Sequence, residues 1–146
     1  MEINMIKSNA ADKKVLEMVV MAIEESRQNT KYYFSLMGKV TSMEDKEIIR
    51  QIYLDEIKHD KMFSDIYIKL SGKEFVSSIA ERRCSPYLVK EFEKNIFAKL
   101  DSVEFYRQIY FMFLNLEIRD MLFEMITDEQ SNATKFSYLL FRAKAI

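Results

Sequence analysis

The stretch IYLDEIKHDKMF, residues 52–63, holds the only histidine of the chain, His59, three positions after Glu56 and among apolar side chains at helical spacing. On an α-helix, positions i and i+3 share a face with their Cβ atoms about 5 Å apart, so Glu56 and His59 address one common centre. Ile52, Phe63 and Ile66 mark the same stripe as inward-facing. A buried glutamate without a partner is costly, so an inward Glu56 demands one. A carboxylate beside an imidazole suits iron or manganese, the carboxylate able to bridge two ions and the imidazole supplying a neutral nitrogen. The same spacing also arises by chance on surface helices, and these two residues alone leave both readings open.

Outward from this stretch the chain reads as all-α. Two glycines and one proline among 146 residues leave little turn chemistry for hairpins, while 49% hydrophobic content is enough for one domain spanning 1–146 to bury its own core. A first helix is expected after a cap at Ser8 or Asn9, running to Gly38. The second starts at a Thr41/Ser42 cap with Asp45 behind it and stops at Ser71-Gly72-Lys73. Ser85 and Pro86 predict the start of a third helix near Pro86, and Asn115 breaks it from a fourth over about 116–143. Tight links join helices one and two and helices three and four, and the long segment 71–85 joins the pairs. The expected architecture is a four-helix bundle of two antiparallel hairpins with a long crossover.

A shift of 73 residues, half the chain, lays Asp55-Glu56 over Asp128-Glu129, Tyr33 over Tyr106 and Phe63-Ser64 over Phe136-Ser137. The two hairpins therefore read as a duplicated unit.

Three segments, AIEESRQNTKYYFSLM (22–37), IYLDEIKHDKMFSDIYIKLSG (52–72) and ITDEQSNATKFSYLL (126–140), resemble the ferritin-like superfamily, and most of all its rubrerythrin branch. The resemblance covers nearly the whole chain. It implies that each hairpin supplies a Glu from its first helix and a Glu-x-x-His from its second to a pair of irons. By this resemblance Glu25, Glu56, His59 and Glu129 are metal ligands, while Asp55 and Asp128 match groups that hydrogen-bond the ligating His of the opposite helix. Two positions depart from the pattern: Asn132 stands where the second His would be, and Ala98 where the repeat places the partner of Glu25. Asp101, one turn from Ala98, and Asn132 through its amide oxygen are the substitute ligands that remain. The set fits one metal ion, or a weakened pair, better than a standard di-iron site.

The resemblance implies iron, one or two ions per chain, with manganese or zinc as alternatives. A redox-active centre would act on peroxide or dioxygen as a peroxidase or ferroxidase, and would draw electrons from an external donor because the chain carries no electron-transfer domain. The competing reading is a degenerate bundle that has kept the fold without catalysis and serves as a structural or interaction protein. Tyr32, Tyr33 and Tyr106 are expected in the core, and Cys84 as a packing thiol. The apolar corner YFMFLNL (110–116) suggests contact with a second copy, a homodimer. A net charge of −1 without a basic stripe argues against nucleic acid, and no apolar run approaches the roughly 18 residues of a membrane span. One cysteine excludes a disulfide framework, and the first ten residues lack a signal peptide's apolar stretch, so a cytoplasmic setting is expected.

Overall fold

The structure, a computed structural model, describes residues 9–78 and 80–145, with side chains from residue 12 onward. The helix cap expected at Ser8 and the N-terminal segment read for a signal peptide lie outside the described residues. Four helices account for most of the rest: α1 (Asn9–Met37), α2 (Met43–Ser71), α3 (Leu88–Tyr110) and α4 (Leu116–Lys144), with no β-strand among the described residues. Among the described residues no helix is long and apolar enough to cross a membrane.

The helix ends show why the chain breaks where it does. Ser42 caps α2, its hydroxyl accepting from the Asp45 N–H at 3.3 Å, and Gly72 closes the same helix in the left-handed region at φ 73°, where a Cβ would be strained. Asn115 caps α4 by accepting from the Ile118 N–H at 3.0 Å. At α3 the structure departs from expectation. The helix begins at Leu88, two residues beyond Pro86, and Ser85 does not cap it: the Ser85 hydroxyl accepts from the Tyr87 N–H, and Tyr87 takes the cap position without a side-chain bond. Glu91 in the first turn reaches back instead, accepting from the Ser85 N–H at 3.1 Å.

The helices pack as two pairs, α1 with α2 and α3 with α4, and the pairs meet through α2 with α4 and α1 with α3. Side-chain bonds give the directions. Asp55 and His59 on α2 pair with Asn132 and Asp128 on α4, so the numbers rise on one helix as they fall on the other. Tyr32 and Tyr33 reach Glu91 and Asn95 early in α3, whereas Met21 and Glu25 share a cleft with Asp101 and Phe105 further along. Both helices next to α1 thus run against it, and the connection from α2 to α3 has to return along the bundle. Sixteen residues, 72–87, fill that gap, and at about 3.3 Å per residue they exceed the roughly 43 Å length of a 29-residue helix.

The crossover is fastened to α1. Arg27 donates to Ser77 at 3.2 Å, Arg82 donates to Asn29 at 2.9 Å and lies over the Tyr32 ring, and the Cys84 N–H donates to Ser35 at 3.3 Å. Tyr32 donates a short hydrogen bond to Glu91, completing the lock between α1, the crossover and α3. Burial opposes the Glu91 carboxylate, but bonds from Tyr32, the Ser85 backbone and Lys94 outweigh it and hold its pKa at about 2. A carboxylate that binds its proton more weakly when folded adds stability above its ordinary value of 4.5 and loses that contribution as pH falls towards 2. Urea titrations across that window should therefore show a slope that Glu91→Gln flattens, on the order of 2 kcal/mol after allowing for solvent screening. Equal slopes in the two proteins would show that this lock does not titrate.

The inward stripes have a common composition. On α2 the buried positions are Ile49, Ile52, Glu56, His59, Phe63 and Ile66, and on α4 Leu122, Met125, Glu129, Asn132, Phe136 and Leu139 recur at the same three- and four-residue spacing. Each stripe is polar in the middle and apolar at both ends. The core is accordingly two apolar clusters, one around Ile23, Phe63, Tyr106 and Leu122 and the other around Tyr33, Ile52, Phe92 and Phe136, with a buried polar belt between them. At the α3–α4 corner Phe113 is buried while Phe111, Leu114 and Leu116 are exposed.

Candidate metal centre

Glu56, His59 and Glu129 meet in that belt. All three are fully buried, and each turns one ligand atom into a group whose members lie within 4.8 Å of one another. Helix phase brings them there: Glu56 and His59 continue the stripe through Ile52 and Phe63, and Glu129 continues the stripe through Met125 and Phe136.

The neighbouring acids are arranged with approximate two-fold symmetry. His59 Nε2 lies 2.9 Å from Asp128 Oδ2, and across the centre Asn132 Nδ2 donates to Asp55 Oδ2 at 3.1 Å. The residues equated by the 73-residue shift thus occupy equivalent places. The bond to Asp128 requires a proton on Nε2, so that in the neutral ring Nδ1 presents a lone pair inward, 3.5 Å from Glu129 Oε1. Lys58 closes the outer side, 2.7 Å from Asp128 and 3.2 Å from Glu124. Burial works against the Asp128 carboxylate, but bonds to His59 and Lys58 hold its pKa below the ordinary range.

The residue that sequence reasoning missed is Lys99. Its ammonium lies in the belt, 1% exposed, donating a short hydrogen bond to Glu56 Oε1 and bonds of 3.2 and 3.0 Å to the two oxygens of Glu129. It also stands 4.8 Å from the centre of the Tyr33 ring. A signal for it was present: Phe92, Asn95, Lys99, Ser102, Tyr106 and Ile109 recur at three- and four-residue spacing, which puts the lysine in phase with the inward stripe. Ala98, which the repeat equates with Glu25, is exposed.

The electrostatics show one cation shared between two carboxylates. Burial alone would favour the neutral amine of Lys99, but the charges of Glu129 and Glu56 push its pKa well above the ordinary value. Glu129 is nonetheless pushed up, chiefly by burial and further by Glu56, against the pull of Lys99 and His59. One ammonium cannot balance two buried carboxylates. Burial and nearby carboxylates likewise raise Tyr106.

The other expected ligands lie further out. Glu25 is half-buried and outside the group of three, facing a cleft lined by Met21, Asp101, Ser102 and Phe105. Its pKa is raised, first by burial and next by the Glu56 charge. Asp101 is exposed in the same cleft. Asn132 is fully buried, with its amide nitrogen on Asp55 and its amide oxygen unpaired.

Two buried atoms of the group, Glu56 Oε2 and His59 Nδ1, lack a hydrogen-bond partner, as does Asn132 Oδ1 one turn along α4 from Glu129. Buried polar atoms are nearly always satisfied, and carboxylates with an imidazole are the donor set of a first-row divalent ion. Comparison with known protein families, with curated proteins and with solved structures finds no match.

Proposed function

We propose that this chain is a ferritin-like bundle that binds one divalent metal ion, iron or manganese, between Glu56, His59 and Glu129. The observation that carries the reading is the pair of unpaired lone pairs, Glu56 Oε2 and His59 Nδ1, beside Glu129 in a fully buried setting. Charge supports it. Glu56 and Glu129 set two buried carboxylates against the one ammonium of Lys99, and a divalent ion adds the positive charge that one ammonium does not supply. Mixed oxygen and nitrogen ligands suit iron, manganese or zinc more than calcium or magnesium. A bound redox metal would supply one-electron chemistry on peroxide or dioxygen, with reductant from outside the chain. The chain's own contribution is to hold the ligands, orient His59 through Asp128, and keep the centre dry behind Tyr33, Tyr106 and Phe63.

The second reading is a bundle without metal chemistry, favoured by Lys99, which already compensates part of the carboxylate charge. Elemental analysis of the chain purified without chelators separates the two. We expect about one iron or manganese per chain, falling at least 10-fold in His59→Ala. A folded wild-type chain that takes up neither ion at micromolar concentration would exclude the metal reading and leave the second.

A further inference from the structure

We propose that Lys99 is a built-in cation, filling one of two cation positions between Glu56 and Glu129, so that the centre takes up a single metal ion and the bundle folds before that ion arrives. The inference rests on the metal-binding reading above and extends it to stoichiometry and to the metal-free state.

The two carboxylates present two sets of acceptors. Glu56 Oε1 and both oxygens of Glu129 are engaged by the Lys99 ammonium. Glu56 Oε2 and His59 Nδ1 have no hydrogen-bond partner, and the nearest carboxylate oxygen to Nδ1, Glu129 Oε1, stands 3.5 Å away. Lys99 is fully enclosed, its stem leaves α3 from the inward stripe, and the Tyr33 ring lies against its head, so it is a fixed part of the belt and not a surface lysine folded in. An ammonium on a tether cannot diffuse away. It neutralises one carboxylate charge in the metal-free chain, where two unpaired buried carboxylates would oppose folding, and it occupies the position between Glu56 Oε1 and Glu129 that a second ion would need, while Glu129 keeps lone pairs for the first. Asn132 Oδ1, also buried and unpaired, lies one turn along α4 from Glu129.

The test uses the full chain, Mn²⁺ as the probe, and two readouts: Mn²⁺ bound per chain by equilibrium dialysis, and thermal unfolding with and without Mn²⁺. Lys99→Met keeps most of the side-chain volume and removes the charge. Metal-free Lys99→Met should melt about 10 °C below the wild type, as expected when one partner of a buried ion pair is lost, and Mn²⁺ should restore it. Its capacity should rise from about one ion per chain towards two. Should Lys99→Met fail to fold without metal, Lys99→Gln, which still donates to a carboxylate, gives the same dialysis readout. Capacity unchanged at about one, with no greater Mn²⁺-induced stabilisation than in the wild type, would overturn the proposal and leave Lys99 an ordinary structural ion pair. If the wild type binds no Mn²⁺ but the Lys99 variants do, the metal-binding reading of the natural chain fails while Lys99 keeps its role as the resident cation. Absence of binding in all three proteins would overturn both.

Discussion

Phe63→Ala is expected to lower the stability of the bundle by about 3–5 kcal/mol, as truncation of a fully buried aromatic side chain does. Phe63 is 0% exposed and packs edge-on against Tyr106, ring centres 5.0 Å apart, while Tyr106 lies 6.1 Å from the His59 ring. The loss has three parts: the transfer energy of the ring, the cavity left among the long helices, and the contact with Tyr106. The same chain of rings carries the effect inward. With Phe63 gone, Tyr106 loses the surface that seats it against His59, so metal affinity should fall together with stability. Urea unfolding in metal-free buffer measures the first effect and metal titration the second. A cost below about 1 kcal/mol would mean that the cluster around Phe63 is not a packed core.

The second large effect concerns a residue outside the ligand set. Asp128→Asn should weaken metal binding on the order of 10- to 100-fold, because the carboxylate that fixes the His59 proton on Nε2 and strengthens Nδ1 as a ligand is replaced by a neutral amide. The approximate symmetry of the centre supplies the control. Asp55 holds Asn132 in the same way that Asp128 holds His59, at 3.1 Å against 2.9 Å. Asp55→Asn should therefore leave metal affinity within a few-fold of the wild type. Equal losses in the two variants would point to a general electrostatic effect of the acids, and an unchanged affinity in Asp128→Asn with the fold intact would remove the orienting role.

The helix count and most helix ends were legible in the chain because their signals are local. Ser42, Gly72 and Asn115 act within one turn, through a hydroxyl, a left-handed φ and an amide oxygen. Pro86 misled because proline at a first helical position is a preference of φ only. Here the backbone N–H of Ser85 needs an acceptor, finds it in Glu91, and the helix starts two residues later. At the centre, helix phase pointed to Glu56 and His59, and the repeat together with the family resemblance pointed to Glu129. Lys99 was not legible, because a lysine on a helix is ordinarily solvated, and only tertiary placement opposite two carboxylates makes its burial favourable. The repeat register led to the same place and stopped one residue short. It equates Glu25 with Ala98, which is exposed, while the inward chemistry of α3 sits on the next residue.

The polar belt also determines how the two hairpins can mate. Apolar stripes spaced three and four residues apart repeat every seven, so one hairpin sliding along the other by seven residues, about 10 Å, would keep every stripe facing inward. Such a slip would carry Lys99 and Glu129 together away from Glu56 and His59, setting the ion pair of the second hairpin against the apolar layer around Phe63 on α2 and stranding Glu56 without its cation. Leucines and isoleucines alone would tolerate that displacement. A single buried lysine between two glutamates does not, and so the centre works as the key that admits only one alignment of the halves.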